Sequence, residues 1–178
     1  MQEDPRNVID KFKGVPTEAI KAQLDTRRVD LEIAIENLER DFNMGTIVRS
    51  ANAFNVREIH IIGRRQWNKR GAMKTDAYMN ITHYADVGDF QEAMDRRQKS
   101  IIAVDIIEGA EPLSKRSLPK DAVLVFGSEK SGLSQQLLSI AKHTVMIEQY
   151  GSTRSMNVGV AAGIVMYAWM QEHVLKTR

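Results

Sequence analysis

Short apolar runs separated by longer stretches of helical spacing are the main pattern along the chain. This alternation is typical of an α/β domain with a mainly parallel sheet flanked by helices, because each crossover between parallel strands needs a long connection. The apolar runs predict five strands, at 31–35, 58–62, 101–104, 123–126 and 144–147. The periodic stretches predict five helices, at 17–25, 46–54, 89–98, 134–142 and 155–174.

The last predicted helix is apolar on two sides. One stripe consists of Met156, Val160, Ile164 and Tyr167. A second stripe consists of Val158, Ala162, Val165 and Trp169. A helix that is apolar on more than one side is buried on more than one side, so we expect it to pack on its own sheet and on a second copy of the chain, as in a homodimer.

Composition places the chain among ordinary globular proteins. It has 178 residues, of which 43% are hydrophobic and 27% charged, with a net charge of +2. We expect one main domain at 29–178, preceded by a polar N-terminal extension at 1–28 that ends in a short helix. The chain has no cysteine, no signal peptide and no apolar run long enough to span a membrane, which predicts a soluble cytoplasmic protein.

A glycine turn follows the predicted strand at 123–126, in the stretch "VLVFGSEKSGLS". Gly127 and Gly132 have the spacing of a phosphate-binding loop, but Leu133 stands in the lysine position. Glu129 also places a carboxylate inside the loop, where it would repel a triphosphate. A loop for a ligand that is neutral or cationic near this carboxylate remains open, and so does an ordinary β-to-α turn.

Two further polar segments follow predicted strands. In "ENLERDFNMGTIVRSANAF", Asn43 and Thr46 are residues that start helices, and Arg49 lies off the apolar face. Arg49 is either a solvated helix charge or a guanidinium placed to bind a phosphate or a developing oxyanion. In "IEQYGSTRSMNVGVAAG", a hydroxyl could cap the last helix, but one cap does not explain the whole cluster of polar residues.

Taken together and in this order, the three segments resemble the three motifs of SPOUT-class RNA ribose methyltransferases, in the SpoU (TrmH-like) branch. The first motif is matched by Asn43, Gly45 and Arg49, the second by "VFGSEKSGLS" and the third by "GSTRSMNVGVAAG". The resemblance covers residues 31–172. Departures from the family pattern fall at five positions, namely Asn55, Glu148, Gln149, Met156 and Gly159. The family often has proline at position 148, methionine at 149 and serine at 159.

The resemblance implies a SPOUT fold, whose C-terminal part is threaded into a deep trefoil knot. It also implies S-adenosyl-L-methionine as the cofactor, held largely by main chain of the second and third motifs. By position, Gly127, Ile147 and Met156 would contact it. No metal is implied.

The implied reaction is methyl transfer from the sulfonium to a ribose 2′-hydroxyl of RNA, either tRNA or rRNA, with tRNA favoured. Arg49 matches the family arginine that activates this hydroxyl, and an electrostatic role suits it better than that of a base, because a guanidinium resists deprotonation. The remaining polar family positions are matched by Asn43, Glu129, Ser155 and Asn157.

A basic segment gives separate support for RNA as the partner. In "RRQWNKRGAMK", residues 64–74, the candidate RNA-binding side chains are Arg64, Arg65, Trp67, Lys69 and Arg70. Basic side chains with an aromatic between them suit phosphates and an unstacked base. The alternative is a solvated loop whose Trp67 packs on the core.

Two other classes of function remain as alternatives. One is a non-catalytic RNA-binding module with the same fold, and the other is a nucleotide-binding protein that uses the glycine loop. The four histidines are scattered, and no pair has the spacing of metal ligands, so the sequence predicts no metal site.

Overall fold

The computed structural model describes residues 4–37 and 43–176, which form an α/β sandwich around one parallel sheet. The strands in chain order are β1 (Val29–Asn37), β2 (Val56–Gly63), β3 (Ile81–Tyr84), β4 (Ser100–Val104), β5 (Glu111–Pro112), β6 (Ala122–Phe126) and β7 (His143–Met146). The α-helices are α1 (Thr17–Asp25), α2 (Asn43–Ala53), α3 (Val87–Arg96), α4 (Gln135–Ile140) and α5 (Val158–Met170). Short 3₁₀ turns lie between several of them, including Arg70–Ala72 and Thr75–Tyr78.

The sheet has seven strands in the order β3-β2-β1-β6-β4-β7-β5, and every pair is parallel. The predicted α/β class with a mainly parallel sheet flanked by helices is therefore confirmed, and all five predicted strands exist. Two strands were missed. β3 is a half-buried edge strand of four residues, and β5 has two residues including a proline, so neither carries a clear apolar signal.

Alternating side chains divide the core into two layers. Leu31, Ile33 and Ile35 of β1 face the layer of α2 and α5. Ala34 faces the opposite layer, where the buried side chains of α3 and α4 include Phe90 and Leu137. The alternation thus covers both faces of the sheet with helices, as parallel sheets require.

The helix boundaries differ from the predicted ones wherever a polar cap decides the start. α5 begins at Val158 rather than 155, because the Asn157 side chain accepts a hydrogen bond from Val160 N at 3.2 Å. α3 begins at Val87, capped by Asp86, and α4 begins after its cap Ser134. α5 ends at Met170, and the chain continues as a π-helix at Gln171–Leu175.

The start of α2 also differs from the prediction. This helix begins at Asn43, three residues before the predicted start.

The segment before β1 contains the predicted helix α1 with the predicted bounds. Its apolar residues Phe12 and Ile20 pack with Tyr78 in a small separate cluster. Buried Arg28 ties this segment to the sheet, because its guanidinium donates hydrogen bonds to Tyr78 O at 2.7 Å and Val56 O at 3.1 Å. Among the helices described, none is long and apolar enough to cross a membrane.

Candidate functional site

The loop after β6 folds tightly back on itself. Ser128 and Gly132 form an isolated antiparallel bridge, with Gly132 N donating to Ser128 O at 2.9 Å. A Cβ on Gly127 would lie 2.2 Å from the carbonyl carbon and oxygen of Gly132, so this close backbone approach admits only glycine. Gly132 has φ +66°, and a Cβ there would lie 2.6 Å from Asp105 Oδ2. Both glycines are therefore required by the turn.

Carboxylates from the two strands beside β6 hold this loop. Glu36, at the end of β1, accepts a hydrogen bond from Ser134 N at 2.8 Å. Asp105, directly after β4, accepts one from Leu133 N at 2.9 Å. We call Glu36 and Asp105 the carboxylate clamp.

The hydrogen bonds of the loop amides decide against a phosphate-binding loop. Such a loop offers its backbone amides to the phosphates. Here the amides from position 131 to position 134 all donate within the protein, two of them to the carboxylate clamp. Leu133, in the lysine position, is buried in the layer of α3 and α4. The phosphate-loop alternative therefore lacks these four amides, and it lacks a cation at the lysine position.

A pocket of about 260 Å³ lies where β4, β6 and β7 end. Ligand sites of open parallel sheets lie at this carboxyl edge. The three positions expected to contact a cofactor, Gly127, Ile147 and Met156, all line the pocket. The walls of the pocket combine apolar side chains with a few polar ones. The other residues that line it include Val104, Asp105, Ile106, Glu129, Lys130, Met146, Gln149, Arg154, Ser155, Val158 and Ala161.

Three of the polar residues selected from the sequence meet beside this pocket. Asn43 Nδ2 donates to Glu129 Oε2 at 2.7 Å, and Asn157 Nδ2 donates to Asn43 Oδ1 at 2.8 Å and to Glu129 Oε1 at 3.3 Å. Each residue comes from a different motif segment, and the contacts join positions 86 and 114 apart in the chain. The fold therefore builds one polar cluster, the Asn43–Glu129–Asn157 triangle.

Ser155 and Arg49 lie apart from the triangle. Ser155 lines the pocket and is exposed, with its carbonyl accepting from Thr153 Oγ1 at 2.9 Å. Arg49 is exposed on α2, about 9 Å along the helix axis from Asn43 at 1.5 Å per residue. Its guanidinium has no hydrogen bond or ion pair with any residue in the described ranges 4–37 and 43–176. It is available to an anion from outside the chain.

The basic segment 64–74 is docked directly onto the start of α2. A Cβ on Gly45 would lie 2.6 Å from Ala72 N and 2.7 Å from Gly71 N. A Cβ on Gly71 would in turn lie 2.9 Å from Thr46 N. This backbone contact holds the basic segment next to Asn43, and hence next to the triangle.

Within the basic segment the cations are exposed and the tryptophan is not. Arg64, Arg65 and Arg70 form no ion pair with any other described residue, whereas Lys69 Nζ binds Asp76 Oδ2 at 2.8 Å. Trp67 is half-buried against the main core, with Lys69 Nζ 5.3 Å from its ring centre. The structure thus favours the packing role that the sequence left open for Trp67.

Several polar residues of the site were not selected from the sequence. Glu36 and Asp105 each follow an apolar run, but nothing local shows that they accept amides 98 and 28 residues away. Gln149, Lys130 and Arg154 line the pocket and belong to the quoted motif segments. For Glu36 and Asp105, the position at a strand end was the only available signal.

A second ionic cluster lies under α3, on the face of the sheet away from α2. Glu32 Oε1 binds Arg97 at 2.7 Å and Lys99 at 2.8 Å, while its Oε2 lies 2.9 Å from His60 Nε2. Burial acts to raise the pKa of Glu32, but hydrogen bonds from His60 and Lys99 outweigh it and lower the pKa. Ligand atoms of Glu32, Glu58 and His60 lie close enough to hold a metal ion. Because Arg97 and Lys99 already neutralise these carboxylates, we interpret the group as an ion-pair cluster.

Fold and pocket together define an all-parallel α/β protein with a candidate ligand site at the carboxyl edge of the sheet. The chain belongs to the SpoU rRNA Methylase family, whose sequence pattern matches residues 30–167.

Among curated relatives, the tRNA (guanosine(18)-2′-O)-methyltransferase of Escherichia coli K12 is 24% identical over 147 residues, which is 81% of this chain and 64% of the relative. The protein of the same name from Thermus thermophilus is 26% identical over 153 residues, covering 83% of this chain and 78% of the relative. The chain thus spans somewhat less than two thirds of the length of the first of these.

Solved structures of low sequence identity share the fold. The A. aeolicus TrmH/SpoU tRNA modifying enzyme superposes with a TM-score of 0.76 at 24% identity, over 91% of this chain and 86% of its own. The SpoU methyltransferase AviRb from Streptomyces viridochromogenes, crystallised with the cofactor AdoMet, gives a TM-score of 0.75 at 19% identity, over 86% of this chain and 64% of its own.

Proposed function

We propose that the chain is an S-adenosyl-L-methionine-dependent RNA 2′-O-ribose methyltransferase that acts on tRNA in the cytoplasm. The observation that carries the proposal is the Asn43–Glu129–Asn157 triangle beside the pocket. Three segments far apart in the chain contribute one residue each, and the same three segments carry the motif resemblance. Membership of the SpoU rRNA Methylase family supports the same reaction.

The residues that line the pocket suit S-adenosylmethionine in their chemistry. Its walls include Ile147 and Met156, which offer apolar contact to a base and ribose, and the bare backbone of Gly127 allows close approach. Glu129 and Asp105 offer carboxylates to a sulfonium and an ammonium, while Lys130 and Arg154 can bind a carboxylate. When bound, the cofactor would supply an electrophilic methyl group for transfer to a ribose 2′-oxygen, with S-adenosylhomocysteine and a proton as the other products.

The residues of the chain position the reactants and stabilise developing charge. The triangle fixes the Glu129 carboxylate relative to α2 and α5, and so fixes the loop that forms one wall of the pocket. We assign to Arg49 the stabilisation of the 2′-oxygen as it loses its proton, together with binding of an adjacent phosphate. Ser155, at the pocket wall, contributes a hydroxyl for the ribose.

RNA binding falls to the basic segment beside the triangle. Arg64, Arg65 and Arg70 have no ion pairs among the described residues, so their guanidinium groups can bind the phosphate backbone. Trp67 serves mainly to anchor the segment on the core, with Lys69 over its ring. We favour tRNA as the substrate because the Escherichia coli and Thermus thermophilus relatives carry tRNA in their names.

A homodimer through α5 is part of the proposal. One stripe of α5 is buried in the chain, but Val160, Ile164 and Tyr167 are exposed by 53%, 38% and 47%. All thirteen residues of α5 are uncharged, so this surface is apolar over nearly four turns. A contiguous apolar face of this kind marks an interaction site, and a second copy offers the same face in return.

A C-terminal trefoil knot also remains a proposal. It is supported by the family and by the packing of the chain end against the connection between β5 and β6. There Trp169 Nε1 donates to Pro119 O at 2.9 Å, and Leu118 N donates to Glu172 Oε2 at 3.1 Å.

The test is methyl transfer from labelled S-adenosylmethionine to transcribed tRNA, compared between the wild-type chain and Arg49→Ala. We expect the variant to lose at least a hundredfold in kcat while its melting temperature and cofactor affinity stay unchanged, because Arg49 is exposed and has no hydrogen bond or ion pair with another described residue. Arg96→Ala, an exposed arginine of α3 on the other face of the sheet, is the matched control.

Two outcomes would contradict the proposal. Full activity in Arg49→Ala would remove Arg49 from the mechanism. RNA binding by the wild-type chain without any cofactor binding would favour the non-catalytic RNA-binding module.

A further inference from the structure

Gln149 is the least satisfied polar side chain of the pocket. It lines the pocket between Ile147 and the loop that leads to α5. Both its amide oxygen and its amide nitrogen are buried without a hydrogen-bond partner among the described residues. Buried polar groups are nearly always paired, so an amide that lacks both a donor and an acceptor partner calls for an explanation.

The neighbouring residue Glu148 has a hydrogen-bond partner, so the lack of partners at Gln149 is not a general property of the segment. The Glu148 carboxylate turns to Ser114, whose hydroxyl donates to Oε1. This hydrogen bond lowers the pKa of Glu148. Glu148 is satisfied outside the pocket, whereas Gln149 is enclosed at its wall.

The chemistry of the unpaired amide specifies its partner. A carboxamide presents one acceptor and two donor hydrogens in a single plane, so its best partner offers a donor and an acceptor side by side. The edge of an adenine ring offers an exocyclic amine next to a ring nitrogen, and glutamine pairs with this edge through two hydrogen bonds. A carboxylate or an ammonium would satisfy only half of the amide.

The apolar residues that line the pocket with Gln149 favour a flat base as part of the ligand. Ile147, Met156 and Val104 provide apolar walls that can enclose a ring. The charged side chains of the lining, such as Lys130 and Arg154, are exposed at the surface and suit the amino-acid end of a ligand. The pocket therefore combines apolar walls, one unpaired buried amide and charged side chains at the surface.

We propose that Gln149 is a specificity-determining residue that reads the adenine edge of the cofactor with its side-chain amide. The inference rests on the proposed function and adds a side-chain contact at a position where the family often has methionine. The amide of Gln149 donates to a ring nitrogen of the base and accepts from its exocyclic amine. The base thereby provides the hydrogen-bond partners that the described residues do not provide.

The test is calorimetric titration of the full chain with two ligands, S-adenosylhomocysteine and its analogue in which hydrogen replaces the amino group of the purine. We expect Gln149→Met to weaken S-adenosylhomocysteine binding about tenfold and to weaken binding of the analogue much less. The melting temperature of the ligand-free variant should equal or exceed that of the wild type, because an unpaired buried amide has been removed. Gln149→Leu repeats the test with a second apolar side chain, and Glu148→Gln is the control outside the pocket.

The possible failures are distinguishable. Wild-type affinity of Gln149→Met for both ligands would overturn the role of Gln149 and leave the proposed function intact. Equal weakening of both ligands would show that the amide fills space rather than reading the base, and would also overturn it. Failure of the wild-type chain to bind S-adenosylhomocysteine at all would overturn the proposed function, and this inference with it.

Discussion

Individual residues determine how closely the backbone can approach itself in the loop after β6. Gly127 and Gly132 face each other across a bridge too narrow for a Cβ on Gly127. Asp105 then occupies the space where a side chain on Gly132 would begin. The spacing of the two glycines, which looked like a phosphate loop, therefore has a different physical cause.

Replacing each of two glycines by alanine separates the effect of backbone strain from the effect of disturbing the carboxylate clamp. Gly132 and Gly109 both have positive φ, at 66° and 83°, but a Cβ on Gly109 would meet nothing within 4 Å. We expect Gly109→Ala to lower the free energy of unfolding by about 1 kcal/mol through strain alone. Gly132→Ala should cost about 2 to 3 kcal/mol, because the new methyl group also displaces Asp105 from Leu133 N.

Urea unfolding measures these stabilities, and calorimetry measures cofactor affinity. Only Gly132→Ala should weaken binding, since only that residue lies in the loop at the pocket. Equal losses of stability in the two variants would show that Asp105 has no part in holding the loop.

How much of the site could be predicted depends on whether its residues belong to one local segment. Asn43, Glu129 and Asn157 were selected because each stands at a helix start or in a glycine turn and matches a motif. Their mutual contact depends on the order of strands in the sheet, which the sequence did not reveal. The clamp residue Asp105 carries no such signal in the sequence, because a single aspartate after a strand is usually solvated.

At the scale of elements, α2 and α5 run side by side in the same direction. Thr46 lies against Gly159, Ser50 faces Gly163, and the rings of Phe54 and Tyr167 are 6.2 Å apart. The contact between the two helices is tighter at Gly159 than at Gly163. A Cβ on Gly159 would lie 2.9 Å from Thr46 Cγ2, whereas a Cβ on Gly163 would lie 3.9 Å from Ser50 Oγ.

The α2–α5 contact explains why this chain has glycine at position 159, where the family often has serine. We expect Gly159→Ser to lower the free energy of unfolding by about 1 to 3 kcal/mol, because the added side chain overpacks the contact with Thr46. Gly163→Ala, the matched control, should be neutral or stabilising, since alanine is the better helix former and has room. Adding Thr46→Ala to Gly159→Ser should recover most of the loss in urea unfolding. If Thr46→Ala does not change the loss of stability in Gly159→Ser, the contact with Thr46 is not its cause.

The predictability of the elements follows their length and periodicity. α1 was predicted with the correct bounds, and the strands of the central sheet were found from their apolar runs. β5 could not be found, because two residues that include a proline carry no period. The start of α5 was wrong by three residues because Ser155 and Asn157 are equally good caps by residue type.

At the scale of the whole molecule, the ion-pair cluster around Glu32 makes the free energy of unfolding depend on pH in the acid range. The pKa of Glu32 lies below its usual 4.5, so its charge stabilises the folded state above that pH, and this contribution is lost as the pH falls through the lowered pKa. We expect Glu32→Gln to lower the free energy of unfolding by about 3 kcal/mol at pH 7, because Arg97 and Lys99 lose their buried partner.

This difference between wild type and Glu32→Gln should shrink below pH 4.5, as the wild type alone loses the charge of Glu32. Urea unfolding between pH 7 and pH 3 tests the trend. Glu92→Gln, in an exposed pair with Arg96, should change stability by about 0.5 kcal/mol or less. A constant difference across the pH range would show that the ionisation of Glu32 does not contribute.

The two faces of the molecule differ in the RNA binding that they should support. The basic segment is docked on α2, in the layer that also contains α5 and the triangle, whereas Arg96 lies on α3 in the opposite layer. Replacing Arg64, Arg65 and Arg70 together by glutamine should weaken tRNA binding. The negative slope of log Kobs against log salt should become less steep by about 2, at roughly 0.7 for each lost phosphate contact. Arg96→Gln should leave the slope unchanged. Filter binding at a series of salt concentrations measures both, and equal slopes for the triple variant and the wild type would place the RNA on another surface.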